Sequence, residues 1–99
     1  MLKISHAVVT MDRAEALEES KRLITKDRHE THGAAAQHFS KIAAVWSVLL
    51  NQDLSATDVL LCLSALKLTR LADNQQHLDS YIDLIGYSAL AAEISKAEA

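Results

Sequence analysis

The sequence predicts an all-α fold, a four-helix up-and-down bundle that follows a short extended N-terminal arm. The 99 residues include no proline and only two glycines, whereas the many turns of an all-β domain normally require both. Hydrophobic residues make up 49% of the chain, which is enough for one folded core at this length. Apolar residues recur at helical spacing in four segments. We therefore expect an arm over residues 1–11 and one helical domain over residues 12–99.

The first two helices are predicted from charge order and apolar spacing. Helix one is expected to run from about Asp12 to Lys26, with acidic residues early and basic residues late, as the helix dipole favours. Its inward stripe is Leu17, Leu23 and Ile24, and its charged residues are interpreted as a solvated face. A polar connector ends at Gly33, and helix two is expected over residues 34–50. Its apolar stripe consists of Phe39, Ile42, Ala43, Trp46, Leu49 and Leu50.

Helix three is predicted to be the central and most buried element. Residues 51–54 form the preceding turn, and the sequence from Ser55 to Asp58 is typical of a helix N-cap. Residues 59–66 are apolar on almost every side, so we expect a homodimer to cover part of this helix. Cys62 lies in this stretch and is interpreted as a small buried hydrophobe.

Helix four is predicted over residues 78–94, after a loop over residues 72–76 and before frayed residues 95–99. Gly86 lies in the helix interior, where glycine costs about 1 kcal/mol relative to alanine. A close helix crossing, or a ligand that approaches the backbone, would explain a glycine at this position.

Charge and composition exclude several classes of function. The net charge is −3 and the basic residues are interspersed with acids, so the chain lacks the basic stripe of nucleic-acid binders. No apolar run is long enough to span a bilayer, which excludes a membrane partner. A single cysteine and the lack of a secretory signal favour a cytoplasmic location. No Ser-His-Asp or Cys-His arrangement is evident, so the sequence identifies no catalytic residue.

Four charged residues flank the predicted connector between helices three and four. Lys67 and Arg70 lie one turn apart before it, and Asp79 and Asp83 lie one turn apart after it. Two carboxylates at this spacing can hold Mg²⁺ together with water. Lysine and arginine nearby can bind phosphate, arginine through a bidentate fork. The same four side chains can instead form salt bridges that fasten the corner, and the spacing leaves both interpretations open.

Three further residues are candidates for ligand binding. Tyr87 follows Asp83 by one turn, and either its ring stacks on a base or its hydroxyl caps the corner. Arg28 and His32 precede helix two, where free N–H groups favour anions, and we expect them at the opening of a ligand site. The alternative for His32 is a simple loop histidine, and the histidine spacing matches no strong zinc signature.

A series of short motifs runs from residue 16 to residue 94. It comprises Asp27-Arg28, His32-Gly33, Phe39-Ser40-Lys41-Ile42-Ala43-Ala44-Val45-Trp46, Asp58-Val59, Lys67, Arg70, Asp79, Asp83 and Gly86-Tyr87. This series resembles a family of small phage- and bacteria-encoded helical domains of unknown function. That family is distantly similar to the MazG-like all-α nucleoside triphosphate pyrophosphohydrolases, which are oligomeric and magnesium-dependent.

The resemblance implies acidic pairs on two helices that hold the metal, with basic residues nearby for phosphate. Asp79 and Asp83 match one such pair in type and spacing, whereas helix two carries His38 and Lys41 in place of the other. We therefore predict a nucleotide-binding protein, with magnesium-dependent pyrophosphohydrolase activity as the implied reaction. The alternative is a non-enzymatic phage interaction protein that binds a host protein through a helical surface.

Overall fold

Four α-helices make up the part of the chain that the structure describes. The computed structural model describes residues 10–25 and 34–99. The helices are α1 (Arg13–Thr25), α2 (Ala34–Leu50), α3 (Ala56–Asp73) and α4 (Leu78–Glu98). These residues contain no β-strand, which confirms the predicted all-α class. The predicted arm lies outside the described residues, except for residues 10 and 11, which have no regular secondary structure.

The centre of the molecule is the pair of helices α3 and α4. These two pack most extensively against each other, α1 packs on α4, and α2 packs on α3. Their core cluster consists of Ala56, Leu60, Ala91 and Ile94, with Ala36, Phe39, Tyr87 and Leu90 packed against it. Among the described helices, no comparable contact joins α1 to α2. The central position of helix three is thus confirmed. The prediction that it is the most buried helix is wrong, since α3 has four buried residues and α4 has five. The up-and-down arrangement stays a prediction.

The corner between α2 and α3 is a Schellman motif. Asn51 has a φ of 53°, the left-handed conformation that asparagine tolerates better than most residues. The N–H of Asn51 donates to the Val48 carbonyl at 3.3 Å, and the N–H of Gln52 donates to the Ser47 carbonyl at 3.1 Å. The Ser47 hydroxyl in turn accepts the N–H of Leu54 at 2.9 Å. The turn predicted over residues 51–54 is confirmed.

The N-terminus of α3 carries two sets of capping contacts. Ser55 and Asp58 form a capping box, in which each side chain accepts the backbone N–H of the other, at 3.0 and 2.9 Å. Glu98, in the last turn of α4, accepts the N–H of Ala56 at 3.2 Å and the hydroxyl of Thr57. The prediction that residues 95–99 fray is therefore wrong, because α4 continues to Glu98 and its last turn is attached to α3.

Gly86 lies where α1 and α4 cross. A Cβ at this glycine would lie 2.9 Å from Cγ2 of Ile24 and 3.2 Å from Oγ of Ser20. The close helix crossing that the sequence offered as one explanation of Gly86 is therefore present. Ser20 is 2% exposed, and its hydroxyl has no hydrogen-bond partner among the described residues. Leu17, predicted to point inward, is instead 58% exposed, and Ser20 and Ile24 make the contact with Gly86 of α4.

Several apolar side chains of α2 and α3 are exposed. On α2 they are Val45, Val48, Leu49 and Leu50, and on α3 they are Leu61, Leu66 and Leu68. The inward placement of Leu49 and Leu50 was therefore wrong, as was the interpretation of Cys62 as buried, since its side chain is exposed. Helical periodicity identifies an apolar helix, but it does not show how many of its sides a neighbouring helix covers.

Candidate functional site

A cleft of about 450 Å³ lies between α1 and α4. Its lining residues are Met11, Glu19, Leu23, Leu78, Asp79, Ile82 and Asp83. Three of them are carboxylates, one from α1 and two from α4, and the other four are apolar. The cleft therefore combines carboxylate oxygens with an apolar surface, and a mostly apolar lining with a few polar groups is typical of small-molecule sites.

Asp79 and Asp83 share the cleft because they lie one helical turn apart on α4. Ile82, between them, is 4% exposed and holds this face of α4 against the rest of the molecule. Asp79 belongs to the first turn of the helix, where the helix dipole favours a negative charge. The structure thus brings the two predicted metal ligands to one surface.

Lys67 reaches Asp83 from α3. Its Nζ lies 2.9 Å from Oδ2 of Asp83. The Lys67 side chain is 14% exposed and the Asp83 side chain is 38% exposed, so the lysine is the more enclosed partner. One of the salt bridges that the sequence allowed is therefore present, and it involves a carboxylate that also lines the cleft.

The other predicted ligand-binding residues are not brought to the cleft. Arg70 is exposed and, among the described residues, has no ion pair. Tyr87 is half-buried and packs against the core cluster. A different tyrosine contacts the connector between α3 and α4: the Tyr81 hydroxyl donates to the Gln75 carbonyl at 2.9 Å. Arg28 and His32 lie outside the described residues.

Glu19 is the residue of the cleft that sequence reasoning missed. Two hydrogen bonds from Arg22, at 3.0 and 2.7 Å, hold its carboxylate in a bidentate pair. This hydrogen bonding keeps the pKa of Glu19 below its ordinary value. Desolvation opposes the shift, and the charge of Arg22 adds to it. The i,i+4 spacing of Glu19 from Leu23, a residue of the apolar stripe of helix one, is compatible with this position but equally with a solvated helix face.

The donor set of the cleft suits a hard cation that is held only partly by protein. Within residues 10–25 and 34–99, no three His, Cys, Asp or Glu side chains are close enough to hold a metal ion together. Mg²⁺ does not need such a cage, since it keeps several waters and binds through one or two carboxylates and substrate phosphates. Asp79 and Asp83 therefore fit Mg²⁺, whereas they do not provide the nitrogen or sulfur ligands typical of zinc sites.

None of the described helices is both long enough and apolar enough to cross a membrane. This agrees with the sequence, whose longest apolar runs are interrupted by polar residues within a few positions.

Comparison with known proteins identifies the family. Residues 15–95 match the domain of unknown function DUF6378. The chain is 32% identical over 78 residues to the Gene 55 protein of Mycobacterium phage D29, an alignment that covers 79% of this chain and 52% of that protein. The chain thus spans about half the length of the curated relative that it matches. No solved structure matches the chain. The matched span includes all of the cleft lining except Met11. Because the match covers most of the chain, the chain belongs to the DUF6378 family, a family of unknown function.

Proposed function

We propose that this chain binds a nucleotide in the cleft between α1 and α4, with Mg²⁺ held by Asp79 and Asp83. The observation that carries the proposal is the position of these two carboxylates on one wall of a cleft, opposite Glu19 and beside apolar side chains. The apolar part of the lining, formed by residues such as Leu23 and Ile82, can receive a base or a sugar. The carboxylates supply the oxygen ligands that Mg²⁺ prefers.

Lys67 lies beside the site and pairs with one of its two proposed metal ligands, Asp83. In the structure its ammonium group pairs with the carboxylate of Asp83. When the carboxylate of Asp83 turns to a divalent ion, Lys67 loses this partner and its ammonium group becomes available to a phosphate oxygen. Nucleotide affinity is therefore expected to depend on Mg²⁺. Arg28, His32, Arg70 and Tyr87 stay predicted ligand-binding residues.

The proposed reaction is hydrolysis of a nucleoside triphosphate to a monophosphate and pyrophosphate. Water attacks the α-phosphorus, and the bond from that phosphorus to the oxygen bridging the α- and β-phosphates breaks. Bound Mg²⁺ supplies positive charge that polarises a phosphoryl oxygen or activates a water. The reaction rests on the MazG-like resemblance, in which two helices contribute acidic residues. Glu19 lines the same cleft from α1, an earlier helix, whereas α2 has no acidic residue, and Arg22 would have to release the Glu19 carboxylate before it could take part.

Calorimetric titration with the four deoxynucleoside triphosphates, with and without MgCl₂, tests the binding proposal. We expect binding that requires Mg²⁺ and that is at least about tenfold weaker in Asp79→Asn and in Asp83→Asn, a loss of about 1.4 kcal/mol. The matched control is Asp73→Asn, which removes an exposed carboxylate at the end of α3, outside the cleft lining. This control should bind as the unchanged chain does.

Two outcomes separate the parts of the proposal. If both cleft variants keep their nucleotide affinity and only lose thermal stability, Asp79 and Asp83 have a structural role and the binding site is rejected. If nucleotides bind with the expected dependence on Mg²⁺ but pyrophosphate is not released, the chain is a nucleotide-binding protein without this hydrolase activity.

A further inference from the structure

We propose that two copies of this chain associate through the outer face of α2. This surface, here called the α2 face, consists of Ala44, Val45, Val48 and Leu49, which together line a shallow depression. The α2 face belongs to a helix that packs on α3, whereas the cleft lies between α1 and α4. The proposal is thus independent of nucleotide binding.

The α2 face is apolar and exposed. Val45 is 64% exposed, Leu49 is 76% exposed and Val48 is 84% exposed. Only one residue of α2, Ala43, is fully buried, although most of the helix is apolar. A helix that is apolar on most sides normally occupies a buried position. Contiguous exposed apolar patches on soluble proteins commonly mark interaction sites.

The distribution of charge favours a second copy as the occupant. The chain has a net charge of −3, so two copies repel each other wherever their acidic surfaces meet. Helices α1, α3 and α4 all carry Asp or Glu, whereas the sequence of α2 includes neither. Its only ionisable side chains are His38 and Lys41. Pairing α2 with α2 therefore brings no carboxylates of the two paired helices together.

A two-fold symmetric arrangement can also keep the two Lys41 side chains apart. In a symmetric dimer the same patch contacts itself. We take the two-fold axis to be perpendicular to α2, so that the two α2 helices run antiparallel. If they cross between Val45 and Val48, the valines of both copies meet at the centre. The two Lys41 side chains then attach about 16 Å apart along the helix axis, given a rise of about 1.5 Å per residue. At that distance their repulsion is largely screened at physiological ionic strength.

The size of the surface sets the expected strength of association. A helix of 17 residues is about 25 Å long. Two such helices, paired along one face, bury an area at the low end for specific interfaces, below about 1,200 Å² in total. We therefore expect a monomer–dimer equilibrium with a dissociation constant in the micromolar range.

Sedimentation velocity on the full chain, without nucleotide and from about 1 to about 200 μM, tests the proposal. The unchanged chain is expected to shift from monomer to dimer over this range. Val48→Asp should weaken association at least about tenfold, because it places a carboxylate at the two-fold axis. Leu17→Asp is the matched control, since Leu17 is a comparably exposed aliphatic residue on α1, and it should leave the equilibrium unchanged.

A disulfide test locates the axis without introducing charge. In a Cys62→Ser background, Val48→Cys should yield a covalent dimer on mild oxidation, whereas Leu17→Cys should not. A chain that stays monomeric at the highest concentration would overturn the proposal. If that monomer loses thermal stability in Val48→Asp, the α2 face makes contacts within the same chain. If its stability is unchanged, the face is left for a different protein. Equal weakening by Leu17→Asp and Val48→Asp would also overturn the proposal, since it would indicate association through no particular surface.

Discussion

Gly86 determines how closely α1 and α4 approach each other. The missing Cβ leaves room for Cγ2 of Ile24, which would lie only 2.9 Å from a Cβ at this position. Glycine inside a helix costs about 1 kcal/mol relative to alanine, so the contact with Ser20 and Ile24 must offset that cost. Because the cleft is bounded by the same two helices, this glycine also influences the distance between Glu19 and the carboxylates of α4.

Replacing Gly86 by alanine is expected to destabilise the chain despite the better helix propensity of alanine. Ile24 is β-branched, and its Cγ2 cannot swing aside inside a helix without leaving its preferred rotamer. Overpacking of this kind costs about 1–3 kcal/mol. After the gain in propensity, we expect a net loss of up to about 2 kcal/mol. Thermal unfolding should show a Tm lower by about 4–8 °C for each kcal/mol.

The control for this prediction is the double variant Ile24→Ala with Gly86→Ala. Ile24→Ala removes Cγ2, so Gly86→Ala should be neutral or stabilising in that background. If Gly86→Ala lowers the Tm equally in both backgrounds, the contact with Ile24 is not the reason for glycine at this position.

The residues of the site were partly predictable from sequence. Asp79 and Asp83 were predictable as a pair, because i,i+4 spacing fixes their common face once the segment is helical. The salt bridge between Asp83 and Lys67 was one of the pairings that the sequence allowed, but the spacing alone did not select it. Glu19 was not predictable, since its place among Glu15, Glu18 and Arg22 matches a solvated helix face equally well. Only the packing of α1 on α4, distant in sequence, distinguishes it.

At the scale of the helix, the last turn of α4 is held by its contact with the start of α3. The Glu98 carboxylate accepts the N–H of Ala56 and the hydroxyl of Thr57, at the end of α3 where the helix dipole favours negative charge. The contact joins residues 41 positions apart. Local propensity therefore could not indicate where α4 ends. The bounds of α2 were predictable, in contrast, because Gly33 precedes it and Asn51 ends it.

Glu98→Ala is expected to lower the free energy of unfolding by about 1 kcal/mol, since it removes a capping acceptor and a charge at the N-terminus of α3. Glu98→Gln keeps an acceptor and should cost less. The measurement is urea denaturation followed by circular dichroism, at low and at high salt, because salt screens the charge but not the hydrogen bonds.

Glu93→Ala is the matched control for Glu98→Ala, since Glu93 is an exposed glutamate of the same helix. If both variants have the same stability, the contact between the last turn of α4 and α3 contributes nothing measurable.

At the scale of the whole molecule, the helices contact one another in the order α1, α4, α3, α2. The two central helices each pack on two neighbours, and the two outer helices each pack on one. The sequence predicted four helices, but not this order, because an apolar stripe does not show which helix it packs against. The exposure of Cys62 was not predicted for the same reason, since the apolar pattern of α3 does not show which of its sides its neighbours cover.

Native-state hydrogen exchange should follow this order. Amides of α3 and α4 are expected to exchange only through global unfolding, whereas those of α1 and α2 should exchange through local openings of lower free energy. Protection of α2 should also rise with protein concentration if the α2 face is covered in a dimer. Equal free energies of exchange in all four helices would contradict the prediction and indicate that the described helices open as a single unit.

The packing of α1 on α4 has a consequence for synthesis on the ribosome. The α2–α3 corner, with its Schellman motif and capping box, involves only neighbouring segments and can form as soon as both have emerged. Helix α1 emerges before them, but α4, the helix on which it packs in the described part of the chain, has not yet been translated at that point. The cleft is therefore assembled late in biogenesis, and a nascent chain stalled before residue 78 cannot bind any molecule that requires both walls.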